Sequence, residues 1–186
     1  MTSGSHYQLD PSLMKVLKFL QKHPGVRQRL PAPRDKTIVY SGNVSHVNDV
    51  FQAWKLLQQA KAQDPVRFDY ITLEERLRAF HVVDFGESLF EHANRISEEL
   101  TKKNLADQAV ILWRALSGIY VQGAMGKVRA LVFPGKNIGR AVFALTEVNV
   151  LLRPSVLKNI DLNESMLREF RSTVRAAGQP APIIVF

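Results

Sequence analysis

Val110-Ile-Leu-Trp-Arg-Ala-Leu-Ser-Gly-Ile-Tyr-Val-Gln-Gly-Ala-Met-Gly-Lys-Val-Arg-Ala-Leu-Val132 reads as a helix that runs out at a Gly-rich turn and feeds a strand, Val128 to Phe133. On that helix Trp113 and Ser117 stand one turn apart, so both project from one face, and a ligand there would meet an aromatic ring and a hydroxyl together. The same spacing describes an ordinary amphipathic core helix, in which a large aromatic is usually buried. What flanks the stretch must decide between a pocket wall and plain packing.

The chain has 186 residues, enough for one domain or for a core with a small helical subdomain. Its 46% hydrophobic and 23% charged content is that of a globular protein. No apolar run approaches the roughly 20 residues of a membrane helix, and the N-terminus lacks a signal-peptide pattern. Zero cysteines rule out disulfides, thiolate metal sites and a cysteine nucleophile, and suit a reducing compartment or a chain that must unfold easily. The net charge of +8 favours an anionic partner. Lysines and arginines are nevertheless spread from Lys15 to Arg175 without a run of five or an aromatic-interleaved basic motif, which describes a solvated surface and makes nucleic acid unlikely. The five histidines (His6, His23, His46, His81, His92) show no metal-binding spacing and read as surface or loop residues.

Outward toward the N-terminus, residues 1–9 lack periodicity and read as a flexible leader or an expression remnant. Residues 10–35 form an N-terminal helical part. Asp10-Pro11 begins a helix with Leu13, Val16, Leu17 and Leu20 on one face, Pro24-Gly25 stops it, and a Pro-containing linker runs from Val26 to Asp35. Thr37-Ile-Val-Tyr40 is a short strand ended by Ser41-Gly42-Asn43. Ser45 then caps a helix with Val47, Val50, Phe51, Trp54 and Leu57 in one stripe. Thr72 and Glu75 fit a capping box, which places Glu74 in the first turn of the next helix, and Gly86 to Lys103 is a further amphipathic helix. Asn104 or Asp107 caps the central one.

Outward toward the C-terminus, Gly135 to Gly139 is a hairpin-like turn flanked by Lys136 and Arg140. Ala141 to Leu152 reads as a long apolar strand, and Glu147 is out of place in it: a buried, unpaired carboxylate costs several kcal/mol unless partnered or protonated. A last helix starts near Leu162 or Asn163 with Met166, Leu167, Phe170 and Val174 inward, and Ile183 to Phe186 closes the chain as a strand. Helices alternating with apolar strands predict an α/β fold, a small and mostly parallel sheet flanked by helices.

Four signatures now stand in order: a strand ending Tyr40-Ser41-Gly42, then Thr72-Leu73-Glu74, then Trp113-x3-Ser117-x2-Tyr120, then Phe143-x3-Glu147. This order resembles the ADP-ribosyl cyclase/NAD glycohydrolase family, including related domains at the C-termini of bacterial polymorphic toxins. The resemblance covers about residues 36 to 160 and implies that residues 36–186 form an NAD-cleaving domain. It assigns the catalytic glutamate to Glu147 and the nicotinamide-recognising acid to Glu74, places Trp113 at the nicotinamide ribose, and has Tyr40, Ser41, Ser117 and Phe143 line the substrate site. NAD or NADP is then the substrate, with no cofactor or metal required, and the implied partner is a cognate immunity protein for an effector delivered into a target-cell cytoplasm. Gly42 stands where the family has a phosphate-binding arginine, so a cation must come from elsewhere. The competing readings are a basic, metal-independent RNase toxin, suggested by the pI near 9.9, and a non-catalytic nucleotide-binding module.

Overall fold

The structure is a computed structural model and describes residues 8–41, 55, 57–132 and 146–176. In chain order its elements are α1 (Pro11–Lys22), α2 (Pro24–Arg29), β1 (Thr37–Ser41), α3 (Leu73–Ala79), the short hairpin of β2 (His81–Val82) and β3 (Glu87–Ser88), α4 (Leu89–Lys102), α5 (Ala106–Gln122), β4 (Gly126–Val132), α6 (Val148–Leu151), α7 (Pro154–Leu157), β5 (Ile160–Asp161) and α8 (Glu164–Ala176). β1 and β5 both pair in parallel with β4, giving the order β1-β4-β5 with Thr37 opposite Val128 and Gly126 opposite Ile160. This is a small parallel sheet flanked by helices, an α/β architecture. No helix among the described residues is long and apolar enough to cross a membrane.

α5 is the hub. It packs against α1, α2, α3, α4 and α6, and Ala109, Leu112, Ala115, Leu116, Ile119, Tyr120 and Val121 are buried around much of its circumference. A helix that is apolar on nearly every side is stable only as the centre of a core. α1 joins that core through Leu13, Val16, Leu17 and Leu20, as its periodicity requires. Asp10 accepts the Ser12 N–H at 2.9 Å and donates its own backbone N–H to Gln108 Oε1 at 2.7 Å, pinning the start of α1 to α5.

Several expectations are corrected. The predicted linker from Val26 contains the end of α2: Pro24 serves as a first-turn residue, Val26 and Leu30 are buried, and Arg76 donates to the carbonyls of Arg29 and Leu30 at the helix end. The helix expected from Gly86 starts at Leu89, behind a hairpin that turns through Gly86 at φ 66°, and it is launched by a capping box of Ser88 and Glu91. Asn104 does not cap α5. It takes the left-handed conformation (φ 61°) that ends α4, with Leu105 N–H donating to Leu100 O at 2.8 Å, and Leu105 is the residue before α5.

The largest correction concerns the strand expected over Ala141 to Leu152. Residues 141–145 lie outside the described residues, but Thr146 and Glu147 form a wide π-helical turn that continues into α6. Thr146, Glu147, Val148, Val150 and Leu151 are all buried. α6 lies between α5 and α8, and burial on several sides at once suits a helical turn where a strand would alternate. Short β-branched runs are ambiguous in isolation, and tertiary packing outweighs their intrinsic preference. The third strand of the sheet is instead β5, which no periodicity announces. The helix from Ser45, except residues 55 and 57–63, lies outside the described residues, as do Trp54, the Lys136–Arg140 turn and the strand Ile183–Phe186.

Candidate functional site

The site begins where α3 begins. Thr72 Oγ1 accepts the Glu75 N–H at 3.2 Å and Glu75 Oε2 accepts the Thr72 N–H at 2.7 Å, so this capping box settles which acid caps the helix. Glu75 Oε1 is also taken, by Lys61 Nζ at 2.6 Å. Glu74 is therefore not the capping acid. It is half-buried, and its charge acts on Glu147.

Glu147 stands in the π-helical turn and is 7% exposed. That turn lies over one face of α5: Thr146 Oγ1 accepts from Arg114 Nε at 2.9 Å, Thr146 packs on Gly118, and the Ser117 hydroxyl donates to the Glu147 carboxylate. Oε2 of Glu147 has no hydrogen-bond partner among the described residues. Burial, with the neighbouring charge of Glu74 second, pushes the Glu147 carboxyl up to about 8, while the bond from Ser117 pulls it down. A carboxyl at about 8 is mainly protonated at neutral pH.

Tyr120, one turn beyond Ser117, is fully buried and fixes the acids' surroundings. Its hydroxyl faces the carbonyls of Ile71 at 2.6 Å and Ile38 at 3.1 Å, and accepts the Ile38 N–H at 3.1 Å. One phenol thus joins β1 to the segment that leads into α3 and Glu74. Burial raises its pKa far above the ordinary tyrosine range, with the charges of Glu147 and Glu74 adding to the effect, so it serves as a fixed neutral clamp.

The fold brings Glu147, Glu74, Ser117 and Tyr120 together from three separate segments. Trp113 is turned differently: its indole N–H donates to Ser97 Oγ on α4 at 2.8 Å, and its ring meets Phe90 edge-on at 6.4 Å. Tyr40 and Ser41 contribute the C-terminal end of β1, where ligands of open parallel sheets collect, but their side chains, like all of Phe143, lie outside the described residues. Arg114 and Thr146 were missed in the sequence. An arginine within Val-Ile-Leu-Trp-Arg-Ala-Leu-Ser was the available signal, since a charge inside an apolar helix needs a reason.

His92 is corrected from surface to core. It is buried on α4, its Nδ1 lies 2.9 Å from Glu87 Oε1, and Phe85 stacks on its ring at 3.7 Å. Glu87 also holds Arg95, and these two bonds keep its carboxyl below the usual range. Comparison of the chain with protein-family models, curated proteins and solved structures finds no match.

Proposed function

We propose that the chain is an NAD(P) glycohydrolase that cleaves the nicotinamide–ribose bond. The observation that carries the reading is the acid pair of buried Glu147 and half-buried Glu74, with the Ser117 hydroxyl bonded to Glu147. Two carboxyl groups brought into a low-dielectric site repel each other's charge, so the site is short of one positive charge, and a pyridinium ribose supplies it. On binding, Glu147 releases its proton to solvent water and its carboxylate faces the anomeric carbon. As the C1′–N bond breaks, the bonding pair stays on the nicotinamide nitrogen, which becomes neutral, and positive charge passes to the ribose. Glu147 stabilises that oxocarbenium-like centre, water adds to C1′ and loses a proton, and the products are ADP-ribose, nicotinamide and H⁺. Attack by the adenine ring in place of water would give a cyclic product.

On this reading Glu74 receives the carboxamide of nicotinamide, a role the resemblance implies and its charge acting on Glu147 supports. The order of the four sequence signatures supports the same roles, and with it the reading of a delivered effector restrained by an immunity protein. The deciding measurement is nicotinamide release from NAD by the pure protein, with products separated by chromatography. The proposal expects turnover that Glu147→Gln abolishes. An inert wild type, or undiminished turnover by the variant, sinks it, and cleaved RNA with intact NAD would establish the nuclease reading in its place.

A further inference from the structure

Arg114 is a charged group that the acid-pair chemistry does not use. It lies three residues before Ser117 on α5, so its side chain leaves the same side of the helix one turn earlier. It is half-buried, and burial lowers its pKa from the ordinary arginine value. Its Nε is spent on Thr146 Oγ1 at 2.9 Å, and no carboxylate pairs with it among the described residues. Lys61, the partly buried lysine near α3, has Glu75 beside it, and half-buried Arg76 has the carbonyls of Arg29 and Leu30. A guanidinium keeps four further N–H donors in a planar fork that matches phosphate oxygens, and a desolvated one without a counter-ion gains most by meeting an anion. Thr146 Oγ1 accepts from Arg114, and no acceptor for its own O–H stands among the described residues.

Charge at the site is therefore divided along α5. Glu147 sits at the Ser117 level and the cation about 4.5 Å away along the axis, one turn earlier at a rise of about 1.5 Å per residue. We propose that Arg114, with the Thr146 hydroxyl, binds the phosphate on the 5′ side of the ribose whose anomeric carbon faces Glu147. This rests on the glycohydrolase reading and sharpens its substrate class to pyridinium ribosides that carry a 5′-phosphate. Thr146 and Glu147 are adjacent in the chain, so one π-helical turn would address both ends of the same sugar.

The test compares nicotinamide riboside, nicotinamide mononucleotide and NAD as substrates for wild type, Arg114→Met, which keeps the apolar stem, and Arg114→Lys, which restores a charge. Losing a charged hydrogen-bonding partner predicts a roughly 10–100-fold fall in kcat/KM for the two phosphorylated substrates in Arg114→Met, mainly through KM. Arg114→Met also removes the bond to Thr146 beside Glu147, a loss common to all three substrates, so the riboside should fall about tenfold less than the phosphorylated substrates, and Arg114→Lys should recover part of that difference. Equal losses on all three substrates, or none, overturn the proposal. Titration with inorganic pyrophosphate separates this result from failure of the glycohydrolase reading. Binding that Arg114→Met abolishes upholds the anion site even in a protein that turns over no pyridinium riboside. A wild type that turns over NAD but discriminates neither phosphate nor pyrophosphate refutes the anion site alone.

Discussion

On the proposed reading Glu147 carries the chemistry, and its environment opposes its charge. A carboxyl raised to about 8 by burial and by Glu74 should appear as an acidic limb in kcat/KM, which rises with pH and levels above about 8 in the free enzyme. Ser117→Ala removes the one interaction that favours the ionised form, so the limb should shift to higher pH, by up to about a unit, with the fold intact. A pH profile of NAD cleavage checks both. A limb that stays in place in Ser117→Ala would show that some other group controls it. Glu147→Gln keeps the shape and the bond from Ser117 while removing the charge, and should lower kcat by roughly a thousandfold or more. These effects were only half legible in sequence. An acid among apolar residues marked Glu147, whereas its pairing with Glu74, 73 positions earlier, depends on how α3 and α6 meet α5.

At the level of elements, α5 holds the site because it holds the fold. Tyr120→Phe strips the Ile38 N–H of its recorded side-chain acceptor and the Ile71 carbonyl of its donor, at a cost of about 1–3 kcal/mol. Thermal melting should report that loss, and activity should fall as well because the segment bearing Glu74 loosens. The turns after α5 are equally tight. A Cβ at Gly123 would stand 2.3 Å from the Pro31 ring, and one at Gly126 would stand 2.0 Å from Asp35 Oδ1 at a backbone φ of 70°. Gly126→Ala should therefore destabilise by more than the usual Gly/Ala difference of about 1 kcal/mol, because clash and left-handed strain add. Denaturant unfolding of the variant tests this, and a wild-type midpoint would contradict it. Local rules located the starts of α1 and α3, where Asp10-Pro11 and Thr72/Glu75 act within one turn of chain. They failed over residues 146–152 because the surrounding helices determine that conformation.

Across the whole molecule, two groups of acids pull stability in opposite directions with pH. Asp10, bonded to Lys103 and Ser12, and Glu87, bonded to Arg95 and His92, have lowered pKa values. Their stabilisation is present above the ordinary carboxylate range and lost as pH falls through it. Glu147 has the reverse sign. Its folded pKa of about 8 exceeds the ordinary 4.5, so its contribution is complete below 4.5 and lost as pH rises to about 8. The melting temperature should therefore peak near about pH 5 and decline toward pH 8, and Glu147→Gln should flatten the alkaline side, gaining on the order of a few kcal/mol at pH 8. Calorimetric melts of both proteins from pH 4 to 9 check the prediction. Parallel declines in the two would assign the alkaline loss to other groups.

Sequence alone determined the α/β class, the apolar faces of α1, α4, α5 and α8, the strands β1 and β4, the caps of α1 and α3 and the suspicion attached to Glu147. Each of these follows from periodicity, turn chemistry or the cost of one residue in its immediate surroundings. Only the tertiary structure decided that residues 146–152 coil into a helix, that Ile160–Asp161 completes the sheet, that Trp113 turns to α4 and that Arg114 shares a face with the acids. Those outcomes depend on burial and charge between segments far apart in the chain, where no local propensity acts.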